Sequence, residues 1–168
     1  MYQNKDHTNQ KLIVTKSNNI DISNQKNLIE IAKKISKLIE KGDNLFLSGE
    51  LGVGKTTFAK FLINNLQLKH DISTFEILSP TFNILNEYQI KNLKVKHYDL
   101  YRIKQIEELH NLGLFEEKDD INIIEWPEIL KSYRIKNIKF GFSYSKNYEK
   151  RSLIISSNYN NKIINEFK

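Results

Sequence analysis

A short apolar run that ends on a glycine-rich turn and passes straight into an amphipathic helix leaves a chain few ways to fold. Here Asn44 to Ser48 (N-L-F-L-S) reads as a buried strand, and Gly49-Glu50-Leu51-Gly52-Val53-Gly54-Lys55-Thr56 follows at once. From Thr56 onward, Phe58, Phe61, Leu62 and Leu66 place an apolar stripe on a helix. Gly49, Gly54, Lys55 and Thr56 satisfy G-x-x-x-x-G-K-[ST]. Without a Cβ, such glycines let the backbone turn sharply and bring its N–H groups against an anion. The helix that follows points its positive end at the same place. A glycine-rich turn matching by chance would need neither the strand before it nor the helix after it.

The loop reads as a nucleotide phosphate cradle formed by Gly52, Val53, Gly54, Lys55, Thr56 and Thr57. Lys55 is expected to reach the β- and γ-phosphates of ATP from outside the packed core. The Thr56 hydroxyl is expected to ligate Mg²⁺, and Thr57 to meet the α-phosphate.

Around this unit the chain alternates strands and helices. Residues 1–10 read as a flexible tail, and residues 11–168 as one P-loop ATPase domain. Lys11–Thr15 is expected as a strand and 24–41 as an amphipathic helix, with Gly42 taking a left-handed cap. Phe82–Gln89 and Leu93–Asp99 read as strands joined by a tight turn at Lys91-Asn92. A helix over Gln105–Leu112, a buried strand over Ile121–Ile124 and a hairpin from Ile135–Tyr144 and Ser152–Ser156 complete the pattern. The class is α/β: a P-loop NTPase-type sheet, parallel at its centre with antiparallel additions, and helices on both faces.

A P-loop nucleotidase needs an acid at the end of a buried strand. Glu125, after Ile121-Asn122-Ile123-Ile124, is the metal-side choice. Asp99 shares a strand face with His97 by alternation and would orient the attacking water or complete the outer shell of the metal; which acid does which is left open by the residues alone. His97 reads as a satisfied strand residue rather than a base. Trp126 either packs over the strand end or lies near the phosphates. Ser79 and Thr81, in Ser79-Pro80-Thr81-Phe82, are candidate γ-phosphate sensors, although Ser-Pro-Thr is also an ordinary turn. No second-substrate pocket is evident.

The composition excludes other classes. No apolar run reaches the length of a membrane span, and the polar N-terminus lacks a signal peptide's apolar stretch. With no cysteine there is no thiolate metal site. These features predict a soluble, cytoplasmic protein. The formal net charge of +6 invites a nucleic-acid reading. Its lysines, however, are scattered among acids, and arginine, the better phosphate fork, occurs only at 102, 134 and 151.

Taken together, Gly49 to Phe58, Ser79-Pro80-Thr81-Phe82, His97-Tyr98-Asp99-Leu100-Tyr101-Arg102 and Ile124-Glu125-Trp126-Pro127-Glu128 resemble, in order and spacing, the bacterial TsaE (YjeE) family. Glu107-Glu108-Leu109 and Leu112-Gly113-Leu114 extend the resemblance, which covers about residues 20–130. It implies an ATPase required for making threonylcarbamoyladenosine, the modified adenosine beside the anticodon in tRNAs reading codons that begin with A. It implies action with TsaD and TsaB, with hydrolysis resetting the complex, and leaves open whether tRNA touches this chain. By motif, Thr56 and Glu125 match the magnesium side, Gly52 to Thr57 the phosphate cradle, and Asp99 a residue needed for hydrolysis. Trp126 matches the aromatic of the Glu-Trp pair, and Arg151 falls where the family keeps an arginine near the nucleotide. Lys60-Phe61 replaces a common Arg-Gly, and the chain diverges beyond Trp126.

The main alternative is a P-loop small-molecule kinase, for which three dispersed arginines make a poor lid. A GTPase would need an Asn-Lys-x-Asp motif late in the chain, and Asn4-Lys5-Asp6 is early and misspaced. An RNA-binding module would leave the phosphate loop idle.

Overall fold

The structure is a computed structural model that describes residues 14–168. The tail expected over 1–10, and the strand expected over 11–15 up to residue 13, lie outside the described residues. The sheet has eight strands among the described residues: β1 (Thr15–Lys16), β2 (Ile20–Asp21), β3 (Asn44–Ser48), β4 (Leu85–Ile90), β5 (Leu93–Asp99), β6 (Ile121–Glu125), β7 (Ile138–Tyr144) and β8 (Arg151–Ser157). Their order is β1-β8-β7-β3-β6-β5-β4, with β2 also on β8. The centre, β7-β3-β6-β5, is parallel; β4 and β8 add antiparallel edges. Strands β3 and β6 read as continuous apolar runs because both their faces are covered.

One face carries α1 (Gln25–Leu38), α2 (Lys55–Lys69) and α4 (Asn161–Asn165), packed with Leu45, Leu47, Phe58, Leu62, Ile123 and Phe140 in the larger core. The other face is covered by α3 (Glu107–Asn111) and a 3-10 turn over Pro127–Leu130, around Phe46, Tyr98, Leu109 and Ile124.

Element boundaries moved for identifiable reasons. The first helix ends at Leu38, because the Asp43 carboxylate accepts the Glu40 N–H and pulls the chain into a turn. Gly42 does adopt a left-handed φ of 84°, but in that turn, where a Cβ would lie 2.6 Å from the Lys118 carbonyl oxygen. Strand β4 starts at Leu85 rather than Phe82, since Ile84 has a positive φ of 67° and its N–H turns back to Pro80 O. The hairpin of β4 and β5 closes on Lys91-Asn92 as expected, with Ile90 opposite Leu93.

Candidate active site

Parallel pairing brings the acids together. Asp99 on β5 is directly opposite Glu125 on β6, and Leu47 on β3 is opposite Glu125 on its other side. Alternation places Val95, His97 and Asp99 on the same face as Ile121, Ile123 and Glu125, the face that α2 covers. Both carboxylates and the imidazole therefore point toward the start of α2.

The Thr56 hydroxyl donates to Glu125 Oε2 at 2.8 Å, and His97 Nε2 meets Glu125 Oε1 at 2.9 Å. Glu125 and His97 are both buried, and His97 Nδ1 has no partner. The carboxylate is thus held from both sides. Because the Thr56 proton is committed to Glu125, its oxygen is left with lone pairs to offer a cation. Among the described residues no cluster of three or more acids or histidines is arranged to hold a metal. A sparse donor set of one hydroxyl and one carboxylate suits Mg²⁺, which takes its other ligands from water and phosphate.

Lys55 departs from the expectation of a group outside the core: it is only 4% exposed. Its ammonium donates to Gly49 O at 2.7 Å and Glu50 O at 2.8 Å, and sits 3.8 Å from the centre of the Trp126 ring. Burial holds it below the usual lysine range, against the opposing pull of Glu125, Glu128 and Asp99. A buried cation whose direct partners are carbonyl dipoles and a π face is a fitting receiver for a phosphate anion.

The loop itself needs its glycines. A Cβ on Gly49 would lie 2.5 Å from Phe142 O, so the loop leaves β3 against the backbone of β7. Gly52 has φ 75°, and a Cβ there would stand 3.4 Å from the Tyr144 hydroxyl. Val53 is buried, with its side chain in the core, so only its backbone can face a ligand. Gly54 caps α2, its carbonyl accepting the Phe58 N–H, and Thr57 is exposed on the first turn.

Asp99 is fixed by Thr81, whose hydroxyl donates to Oδ2 at 2.9 Å, and by the Tyr101 N–H at Oδ1. Since the Thr81 proton goes to Asp99, the 2.8 Å contact between Ser79 and Thr81 has Ser79 as donor. Arg102 clamps the same segment by donating to Phe82 O at 2.6 Å. The segment 79–82 is therefore wired to the acid at the end of β5. Trp126, half-buried with a left-handed φ of 57°, packs against Tyr101 with ring centres 4.8 Å apart.

Arg151 starts β8 opposite Tyr144, exposed, its guanidinium 5.6 Å from the Tyr144 ring. It stands at the loop's edge, beside the tyrosine that reaches Gly52, and apart from the two acids. The three arginines belong to separate parts of the chain and form no lid. Sequence reasoning missed Tyr101, Tyr144 and the influence of Glu128 on Lys55; their only signal was proximity in sequence to motif residues or to a strand end. It also missed a groove of about 520 Å³ beside the loop, lined by Leu100, Tyr101 and Trp126 with Glu50 and Glu128 among its polar groups.

The family profile described as "Threonylcarbamoyl adenosine biosynthesis protein TsaE" matches residues 22–153. A relative from Rickettsia felis, named tRNA threonylcarbamoyladenosine biosynthesis protein TsaE, is 38% identical over 66% of this chain and 63% of its own length. One of the same name from Borreliella burgdorferi is 34% identical over 74% of this chain and 89% of its own. The crystal structure of Bacillus subtilis YdiB shares the fold, with a TM-score of 0.69 at 22% identity, covering 92% of this chain and 95% of that one. With the profile spanning most of the sheet and every residue of the site, the chain belongs to the TsaE family.

Proposed function

We propose that this protein binds and hydrolyses Mg²⁺-ATP in support of threonylcarbamoyladenosine formation on tRNA. Its single domain acts in the cytoplasm with homologues of TsaD and TsaB, and it turns over slowly by itself. The observation that carries this reading is the 2.8 Å bond from the Thr56 hydroxyl to Glu125, which joins the first turn of α2 to the end of a strand 69 residues away. Glycine loop, helix-start hydroxyl and strand-end carboxylate are the parts that phosphoryl transfer in a P-loop site requires.

In this reading the backbone of Gly52 to Thr57 and the Lys55 ammonium receive the phosphates. Thr56 and Glu125 would hold the metal. A magnesium ion held there would supply positive charge against the charge that develops on the phosphates. Asp99, with each oxygen already anchored by one donor, keeps further lone pairs for a water aligned on the γ-phosphate. Thr81, bonded to that same acid, and Ser79, bonded to Thr81, make the segment 79–82 responsive to whether a γ-phosphate is present. No helix among the described residues is long and apolar enough to cross a membrane. The names of the relatives support the pathway; ATP hydrolysis, the metal and the partners are inferences from the site and from family membership.

The test is binding of ATP to the purified chain by calorimetry, with and without Mg²⁺, followed by phosphate release in the presence and absence of TsaD and TsaB. Failure to bind ATP at millimolar concentration would sink the proposal. Rapid turnover by the lone chain would remove the partner dependence.

A further inference from the structure

We propose that His97 is a positioning residue for Glu125, its imidazole fixing the carboxylate on the metal side of the phosphate loop and so setting how tightly the site holds magnesium. The role rests on the reading of Thr56 and Glu125 as the metal side, and gives a task to a buried residue that phosphate binding itself leaves unused.

Burial makes a histidine at this place costly. His97 is 0% exposed, and on its face of the sheet Val95, Ile121 and Ile123 belong to the larger apolar core. Nδ1 has no partner, so among the described residues the ring's one hydrogen bond is the 2.9 Å contact of Nε2 with Glu125 Oε1. A carboxylate can only accept, so Nε2 carries the hydrogen and Nδ1 is left as a buried acceptor without a donor, which lowers stability. An aliphatic side chain of similar size would meet the same neighbours with no polar atom buried. Packing therefore gives no reason for a histidine here, and the bond to Glu125 does.

Glu125 needs that bond because of what stands beside it. Asp99 is directly opposite on the neighbouring strand, and like charges paired across a sheet repel. Asp99 has both its oxygens anchored, by the Thr81 hydroxyl and the Tyr101 N–H. Glu125 has Thr56 at Oε2, which by itself leaves Oε1 without a donor. His97 is opposite Ile123, two residues deeper along β5 than Asp99, so its bond draws Oε1 inward and away from the other acid. With both oxygens fixed, the carboxylate has one orientation before any ion arrives. Outer partners of this kind change metal affinity by about ten- to a hundredfold.

Two amide substitutions separate reach from polarity. The side-chain nitrogen of glutamine lies as many bonds from Cα as His97 Nε2, and that of asparagine as many as Nδ1, too short to meet Glu125. The Kd for ATP is measured calorimetrically on the full chain over a series of Mg²⁺ concentrations and without Mg²⁺, and thermal unfolding gives the stability of each variant. His97→Asn should raise the Mg²⁺ concentration that half-maximally tightens ATP by about ten- to a hundredfold, while His97→Gln stays within about threefold of wild type. Both should bind ATP without Mg²⁺ as wild type does, because the loop and Lys55 meet the phosphates. In the unsubstituted chain, nitrogen NMR should show the ring hydrogen of His97 on Nε2; a hydrogen on Nδ1 alone would overturn the role whether or not the variants fold. An Mg²⁺ requirement unchanged in His97→Asn, or raised equally in both variants in step with their loss of Tm, overturns it too and leaves His97 to packing. If ATP binding by wild type is indifferent to Mg²⁺, the metal-side reading of Thr56 and Glu125 falls and the positioning role with it. If wild type responds to Mg²⁺ and His97→Asn responds identically, the metal side stands and the positioning role alone is refuted.

Discussion

Replacing Lys55 by alanine separates two things the same side chain does. In the folded protein its ammonium makes two charge-assisted bonds, to Gly49 O and Glu50 O. Each is worth about 1.5–3 kcal/mol. Against them stand the desolvation of a group that is only 4% exposed, several kcal/mol in typical cases, and about 2 kcal/mol of side-chain entropy. The depressed proton affinity of the group, caused first by burial, says that desolvation is the larger of its electrostatic influences. The sums nearly cancel, so Lys55→Ala should change the stability of the ligand-free protein by no more than about 1–2 kcal/mol, a shift in Tm of at most roughly 8 °C. Bound to phosphate, the same ammonium gains an anionic acceptor inside a site where water screens little, worth about 1.5–3 kcal/mol in binding. The Kd for Mg²⁺-ATP should therefore rise roughly ten- to 150-fold. Calorimetric titration gives the affinity, and thermal unfolding without ligand gives the stability. An affinity within twofold of wild type would refute the reasoning. So would a large fall in Tm with binding retained, which would make Lys55 a strut for the loop and nothing more.

Glu125→Ala removes the acceptor of Thr56 and His97, and should raise the Mg²⁺ concentration needed for ATP binding about tenfold or more. Asp99→Asn should lower turnover by about a hundredfold while moving the Kd for ATP little; the opposite pattern in the two variants would exchange their roles. Trp126 emission should change on addition of Mg²⁺-ATP, because the Lys55 ammonium over its face is the group a phosphate would draw; a static signal at saturating nucleotide would confine Trp126 to packing. Tyr159→Phe should cost about 1–2 kcal/mol by leaving the buried Asp43 carboxylate without its phenol donor. Burial raises the Asp43 pKa above its unfolded value, so its ionisation penalty grows as pH rises through that window, and losing the donor raises the pKa further. The urea-measured cost of Tyr159→Phe should accordingly be larger at pH 7 than at pH 4, and a pH-independent cost would show that Asp43 is not the group responsible.

Much of the fold was legible because its signals are local. The apolar run of β3, the loop and the stripe on α2 are contiguous, and the alternation of His97 and Asp99 predicted a shared face that the sheet keeps. What was not legible depended on contacts between distant segments. The pairing of Asp99 with Glu125 across two parallel strands leaves no periodicity in either one. Asp43 stopped α1 early by taking the Glu40 N–H, an event that helical spacing cannot register. Lys55 was expected outside the core because lysine usually is, yet its ammonium is held by Gly49 O, Glu50 O and the Trp126 ring, and only that surrounding packing reveals its burial. The bond from His97 to Glu125 was likewise hidden: a histidine inside a strand reads as core, and its partner lies 28 residues on.

Where a charge must be held to within a bond length the residue types are few, and the sequence spells them as motifs: Lys55-Thr56, Thr81, Asp99 and Glu125. The same residues bear on regulation. Thr81 is bonded to Asp99, Ser79 is bonded to Thr81, and Arg102 ties their segment to the strand end by a single hydrogen bond. A partner that prefers the arrangement of 79–82 adopted with ATP must, by linkage, tighten ATP by the factor by which ATP tightens the partner. Titrating TsaD and TsaB with ATP, ADP and no nucleotide should then show tightest association with ATP, weakened in Thr81→Ala. Equal association under all three conditions would detach this segment from any switching role.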